Sequence, residues 1–118
     1  MGVYAQESEI KSWKEHVALK PETSLPLDRY CGKYFNQVYG GIEIKKENNR
    51  LTIYFSHHPQ VTGQLDPYGG DLFVCNYSDV TWGINMISFR AENEKVKSVT
   101  LKVSDFIDFM PYEFIKQN

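Results

Sequence analysis

The sequence predicts a mainly β protein, a small antiparallel up-and-down barrel of about eight strands with one N-terminal helix. Three observations carry that prediction. From Leu27 onward, apolar and polar residues alternate in short segments. Turn-forming groups separate these segments, among them Asn48-Asn49, Tyr68-Gly69-Gly70 and Glu92-Asn93-Glu94. Helical spacing of apolar residues stands out in one place, ahead of Pro21. Successive short strands joined by tight turns pair with their sequence neighbours, and closing the sheet removes the edges that invite association.

The elements follow in order. Residues 7–20 read as the helix: Ile10, Trp13 and Val17 share a stripe opposite Lys11, Lys14 and Glu15, with Ser8 as the N-cap and Pro21 as the stop. That stripe is too short to be stable in water unless it is buried, so the helix is expected to fold back across one open end of the barrel, the alternative being a connector whose Trp13 contacts a domain outside this sequence. Residues 1–26 therefore form a helix and linker, and residues 27–118 form the barrel. Strands are expected near 30–37, 42–46, 50–56, 61–66, 72–77, 84–91, 95–103 and 110–116. In the third, Leu51, Ile53 and Phe55 share a face opposite Thr52, Tyr54 and Ser56. His57-His58-Pro59 is expected to interrupt the ladder, because proline has no donor. Pro67-Tyr-Gly-Gly-Asp71 is expected to be a turn, and Ser78–Gly83, containing Trp82, a loop. Buried positions are expected at Leu51, Ile53, Phe55, Phe89, Val99, Leu101, Tyr112 and Phe114, and exposed ones at Glu43, Lys45 and Lys97.

Composition excludes several classes of function. The 118-residue chain is 42% apolar and 14% aromatic, with a net charge of −2. No run of Lys or Arg exceeds two residues, so a nucleic-acid footprint is missing. No apolar run approaches the ~20 residues that span a bilayer. The opening Met1-Gly-Val-Tyr-Ala-Gln-Glu7 lacks the parts of a signal peptide, and Gln6 does not complete a myristoylation pattern. Met1-Gly2 reads as an added start on an excised domain, in which case any targeting signal lies upstream. Cys31 and Cys75 read as two separate buried thiols in preference to a bridge.

A set of short motifs recurs in fixed order: Leu27-x-x-Tyr30-x-Gly32-x-Tyr34, Tyr39-Gly40, Asn49-x-Leu51, Gly63-x-Leu65, Asp71-x-Phe73, Ile87-x-Phe89, Glu94-Lys95-Val96 and Tyr112-x-Phe114. From about Leu25 to Ile115 the chain thereby resembles the C-terminal domain of unknown function of serine β-lactamase-related, penicillin-binding-protein-like hydrolases. The departures are Glu94, where that family has a turn glycine, and the additional glycine of Tyr39-Gly40-Gly41. The resemblance implies a lipocalin-like barrel that accompanies a serine hydrolase domain in the same parent chain without carrying its nucleophile. It implies no catalytic residue and no cofactor, and a periplasmic or extracellular location if the parent is a secreted bacterial hydrolase.

Because of that resemblance, two patterns need weighing. Ser8-Glu-Ile-Lys11 matches the Ser-x-x-Lys nucleophile motif of penicillin-recognising enzymes, and Tyr34-Phe-Asn36 matches their Tyr-x-Asn element. The first lies on a helix near the terminus and the second inside a strand. Val61-Thr-Gly63 lacks the basic residue of the third element, so these residues read as structural. His16, His57 and His58 do not make a metal site, since adjacent strand residues face opposite ways. Asp66, Asp71, Asp105, Asp108 and Glu113 read as solvated turn carboxylates. Tyr39-Gly-Gly41 and Tyr68-Gly-Gly70 lead into strands rather than helices, which makes them turns and not phosphate loops. The aromatic set is the better functional signal. Tyr34, Tyr54, Phe73, Phe89 and Tyr112 read first as barrel core and alternatively as the lining of a pocket for a small apolar ligand.

Overall fold

The structure, a computed structural model, describes residues 7–78, 83–102 and 111–117. The period-two segments form β1 (Gly32–Asn36), β2 (Gly40–Glu47), β3 (Arg50–Phe55), β4 (His58–Gly69), β5 (Leu72–Tyr77), β6 (Ile84–Glu92), β7 (Lys95–Lys102) and β8 (Pro111–Lys116). Each strand pairs antiparallel with the next, and β8 returns to β1, so the sheet closes into an eight-stranded barrel in sequence order. Alternation fills the interior: Ile42 and Ile44 of β2, Leu51, Ile53 and Phe55 of β3, and Val99, Leu101 and Phe114 opposite them are all buried. Two expected positions differ. Tyr112 is only half-buried because it stands at the barrel mouth against Tyr39, and Glu43 is half-covered between its cross-strand neighbours Lys33 and Tyr54.

The turns follow their residues. Asn48 (φ 53°) and Asn49 (φ 62°) occupy the left-handed region that a two-residue hairpin requires. Asn93 (φ 53°) and Glu94 (φ 64°) do the same between β6 and β7, where a glycine would relieve the strain at Glu94.

The fourth strand is longer than expected at both ends, and both prolines lie within it. A bulge at Tyr54/Phe55 moves the β3 register from Tyr54↔Thr62 to Phe55↔His58. Residues 59–61 therefore have no ladder partner on β3, and the donor that Pro59 lacks is not needed. At the other end β3 stops opposite Leu65, so Pro67 faces no β3 neighbour, and a second bulge carries β4 on to Gly69.

The seam between β1 and β8 is the thinnest part of the barrel. Its ladder consists of Tyr34↔Lys116 and Phe35↔Ile115, extended by Gln117 N–H donating to the Lys33 carbonyl at 2.7 Å. Beyond the ladder the Asn36 side chain takes over. Its Nδ2 donates to the Glu113 carbonyl (2.9 Å), and its Oδ1 accepts from the Val38 and Tyr39 amides (2.7 and 3.1 Å).

The helix α1 spans Glu7–Ala18 and ends with Lys20 in the left-handed region (φ 56°), before Pro21 is reached. Ser8 lies inside it rather than at its cap. It does not cross an open end. It contacts β4, stacks His16 on Tyr68 with ring centres 4.3 Å apart, and borders Ile84 of β6. The strand between β4 and β6 is β5, whose outward-parity Val74 is only 1% exposed while its neighbours Phe73 and Cys75 join the interior core. The helix thus lies against the outer wall at β4, with Ile10 and Ala18 beside Ile84. The linker then binds the β4–β5 turn, with Ser24 N–H donating to the Gly70 carbonyl and Gly70 N–H to the Glu22 carbonyl (3.0 and 3.1 Å). The end of the barrel is instead plugged by a 3-10 turn, Leu27–Tyr30, packed against β2 and β7.

Candidate functional site

The interior is occupied by rings. Tyr30 enters from the plug and meets Phe73 and Phe89 edge-on, with centres 5.1 and 4.7 Å apart. Phe73 and Phe89 are 5.3 Å apart, and Tyr34 lies 6.3 Å from Phe89. Edge-to-face packing of this kind is favourable. The polar ends are satisfied: the Tyr30 hydroxyl donates to Asp71 Oδ1 (2.7 Å), and the Tyr34 hydroxyl to the Tyr30 carbonyl (2.7 Å). Burial pushes both phenols above their ordinary value, and for Tyr30 the Asp71 carboxylate adds to the shift.

Of the five residues expected to line a pocket, Tyr34, Phe73 and Phe89 meet in this core. Tyr112 is set apart at the mouth, edge-on to Tyr39 at 4.7 Å. Tyr54 points outward; its hydroxyl donates to the Glu47 carboxylate at 2.7–2.8 Å, which raises its pKa, and Lys45 Nζ lies 5.3 Å from its ring centre.

An open concavity of about 440 Å³ lies on the outer face of β1–β3. Its floor is Gly41, whose absent side chain leaves a gap beside its cross-strand neighbour Phe35, while Tyr54 stands on the far side. The Ser56 hydroxyl donates to the Gly41 carbonyl (2.9 Å) and accepts from the Gly41 amide (3.2 Å). Lys33 and Glu43 stand at the rim. This groove suits a flat apolar group with a polar edge. Sequence reasoning missed Phe35 and Gly41. The signal available was an aromatic residue on the polar-facing parity of β1, next to Tyr34 on the inward parity.

The remaining chemistry-bearing residues are dispersed. His16 lies on Tyr68, and His57 packs over Gly40, where an added Cβ would stand 2.7 Å from Nε2. No group of three or more His, Cys, Asp or Glu able to hold a metal occurs among the described residues. Asp66 pairs with Arg50 at 2.8 Å. Glu113 accepts from Ser98 Oγ and is paired with Arg90 at 3.4 Å, which together hold its carboxyl below the usual range. Both thiols are free, and burial pushes Cys75 up to about 12. Trp82, Asp105 and Asp108 lie outside the described residues.

Comparison with curated proteins and with solved structures returned no match. A family model does match, over residues 18–116, which is the plug, the barrel and the linker that ties them together. The chain belongs to the family described as a domain of unknown function, DUF3471.

Proposed function

We propose that the chain is a non-catalytic accessory domain that accompanies a serine hydrolase of β-lactamase-related type. The reading rests on the motif resemblance, and the observation that carries its non-catalytic part is how the structure uses the motif-like residues. Tyr34 of Tyr34-x-Asn36 has its ring in the barrel core and its hydroxyl committed to the Tyr30 carbonyl. Asn36 is spent on the seam, bridging β8 to the β1–β2 turn. Lys11 is exposed on the outer helix. These groups build the fold, and among the described residues they form no arrangement that activates a serine. A rigid barrel closed on itself suits stabilising a neighbouring domain or shaping access to it.

Two measurements test this. The reading frame upstream of residue 1 should encode a large serine hydrolase domain; a continuous frame encoding none would remove the basis of the accessory role. The isolated chain should not hydrolyse a chromogenic cephalosporin or p-nitrophenyl esters above background. Turnover that disappears in Ser8→Ala would restore the enzyme reading. A second reading, a binding module for a small apolar ligand, is favoured by the Phe35–Gly41–Tyr54 groove on the outer wall. It expects a fluorescent apolar probe to bind and Phe35→Ala to abolish binding; an unchanged signal would reject it.

A further inference from the structure

Beyond the accessory role, we infer that the rim of the barrel beside the plug is a binding site for a small polyanion of the phosphate type. A groove of about 590 Å³ opens there between the 3-10 turn, the β6–β7 hairpin and the end of β8. Five cationic side chains line it, Arg29, Arg90, Lys95, Lys97 and Lys116, against the two carboxylates Asp28 and Glu92. Glu113, which pairs with Arg90 from β8, counts as a third carboxylate, and the remaining surplus of two positive charges on a chain of net charge −2 is a local segregation and not a general property of the surface.

Three of the cations are held in place by contacts that need no ligand. Lys116 runs its stem over Gly32, where an added Cβ would come within 2.9 Å of Cε, and its ammonium donates to the Arg29 carbonyl at 3.4 Å. Arg29 donates to the Glu94 carbonyl at 3.3 Å. Arg90 is braced by Glu92 at 2.7 Å and Glu113 at 3.4 Å. Asp28, which also lines the groove, pairs with Lys46 at 3.5 Å. Lys95 and Lys97, two apart on β7, form no ion pair among the described residues. Lys95 and Lys97 are exposed on either side of the buried Val96, and both line the groove although a bulge opposite Arg90/Ala91 leaves Lys97 without a ladder partner. Braced guanidinium groups beside free ammonium groups suit clustered phosphate oxygens, which accept several charge-assisted hydrogen bonds at once. The site is concave and of small-molecule volume, which favours a compact polyanion over a flat protein face.

The test is titration of the folded chain with sodium tripolyphosphate at low salt, followed by calorimetry and by amide shifts of residues 92–97. Saturable one-to-one binding is expected, with a dissociation constant in or below roughly the millimolar range. Lys95→Ala/Lys97→Ala should weaken it at least about tenfold while leaving the thermal midpoint unchanged. The equal charge change Lys11→Ala/Lys14→Ala, on the exposed face of α1, should leave binding within about twofold. A parallel arm uses vesicles containing a phosphoinositide. Binding to vesicles that depends on Lys95 and Lys97 supports the site and makes its ligand a lipid headgroup; binding to tripolyphosphate alone supports it and makes the ligand a free one. Equal loss in both double variants would overturn the proposal in favour of diffuse surface attraction, as would no saturation by either probe. Neither result touches the accessory role, which rests on different residues.

Discussion

Phe89 is the residue on which the reading of the interior depends most. Its ring lies between those of Tyr30, Phe73 and Tyr34, at centre separations of 4.7, 5.3 and 6.3 Å. Truncating a buried Phe to Ala costs roughly 3–5 kcal/mol, made up of lost transfer energy and the cavity left behind. Each well-placed ring pair contributes about 0.5–1.5 kcal/mol beyond its area, and three pairs are lost here, so the upper half of that range is expected. Backbone ladders on both sides of β6 hold the wall in place and limit how far the cavity can collapse. For a domain of 118 residues, 1 kcal/mol moves the thermal midpoint by about 4 °C, so Phe89→Ala should lower it by about 16–20 °C. Urea denaturation followed by far-UV circular dichroism gives the free energy directly. The internal control is Phe35→Ala, the same chemical change on the outer wall, where the residue is 47% exposed; it should cost under about 1 kcal/mol. A Phe89→Ala loss below about 1 kcal/mol, or equal losses at the two sites, would show that the interior is not the packed ring cluster described.

Two further expectations follow from the same core. Gly63 faces Cys75 so closely that an added Cβ would stand 2.7 Å from Sγ, so Gly63→Ala should destabilise by about 1–3 kcal/mol, and Cys75→Ala should recover part of that in a double-mutant cycle; strictly additive losses would refute the contact. Burial raises Cys75 to about 12 from 9.0, and raises Tyr30, Tyr34 and Tyr77 above 10.0. Above about pH 9 the unfolded chain releases protons that the native chain retains, so stability should be full below that pH and fall steadily as pH rises; a urea midpoint constant to about pH 10.5 would refute it.

The barrel was legible in the sequence to a large degree, for a physical reason. A strand buried on one face must alternate, and a two-residue hairpin must tolerate positive φ, so Leu51-Thr-Ile-Tyr-Phe55 and Asn48-Asn49 announce themselves locally. Pairing with the next strand adds no long-range ambiguity, which is why the order β1 to β8 could be read off. The prolines misled for the complementary reason. Whether Pro59 or Pro67 breaks a ladder depends on whether a partner stands opposite, and the bulge at Tyr54/Phe55 and the early end of β3 are properties of the pairing, not of the prolines.

The site was less legible. That Tyr34, Phe73 and Phe89 share the interior follows from parity, but Tyr54 has the opposite parity, and Tyr112 lies at the mouth, so a list of aromatic residues could not say which of them meet. The sequence alone determined the period, the turns, the absence of a long cationic or apolar run, and the need of the Ile10–Trp13–Val17 stripe for cover. Only the tertiary structure decided where that cover is. It lies on the outer wall against β4 and beside Ile84 of β6, while the 3-10 turn that carries Tyr30 plugs the barrel end. The cationic rim likewise gathers Arg29, Arg90, Lys95, Lys97 and Lys116 from positions up to 87 residues apart, a convergence that closure of β8 onto β1 creates and no local pattern encodes.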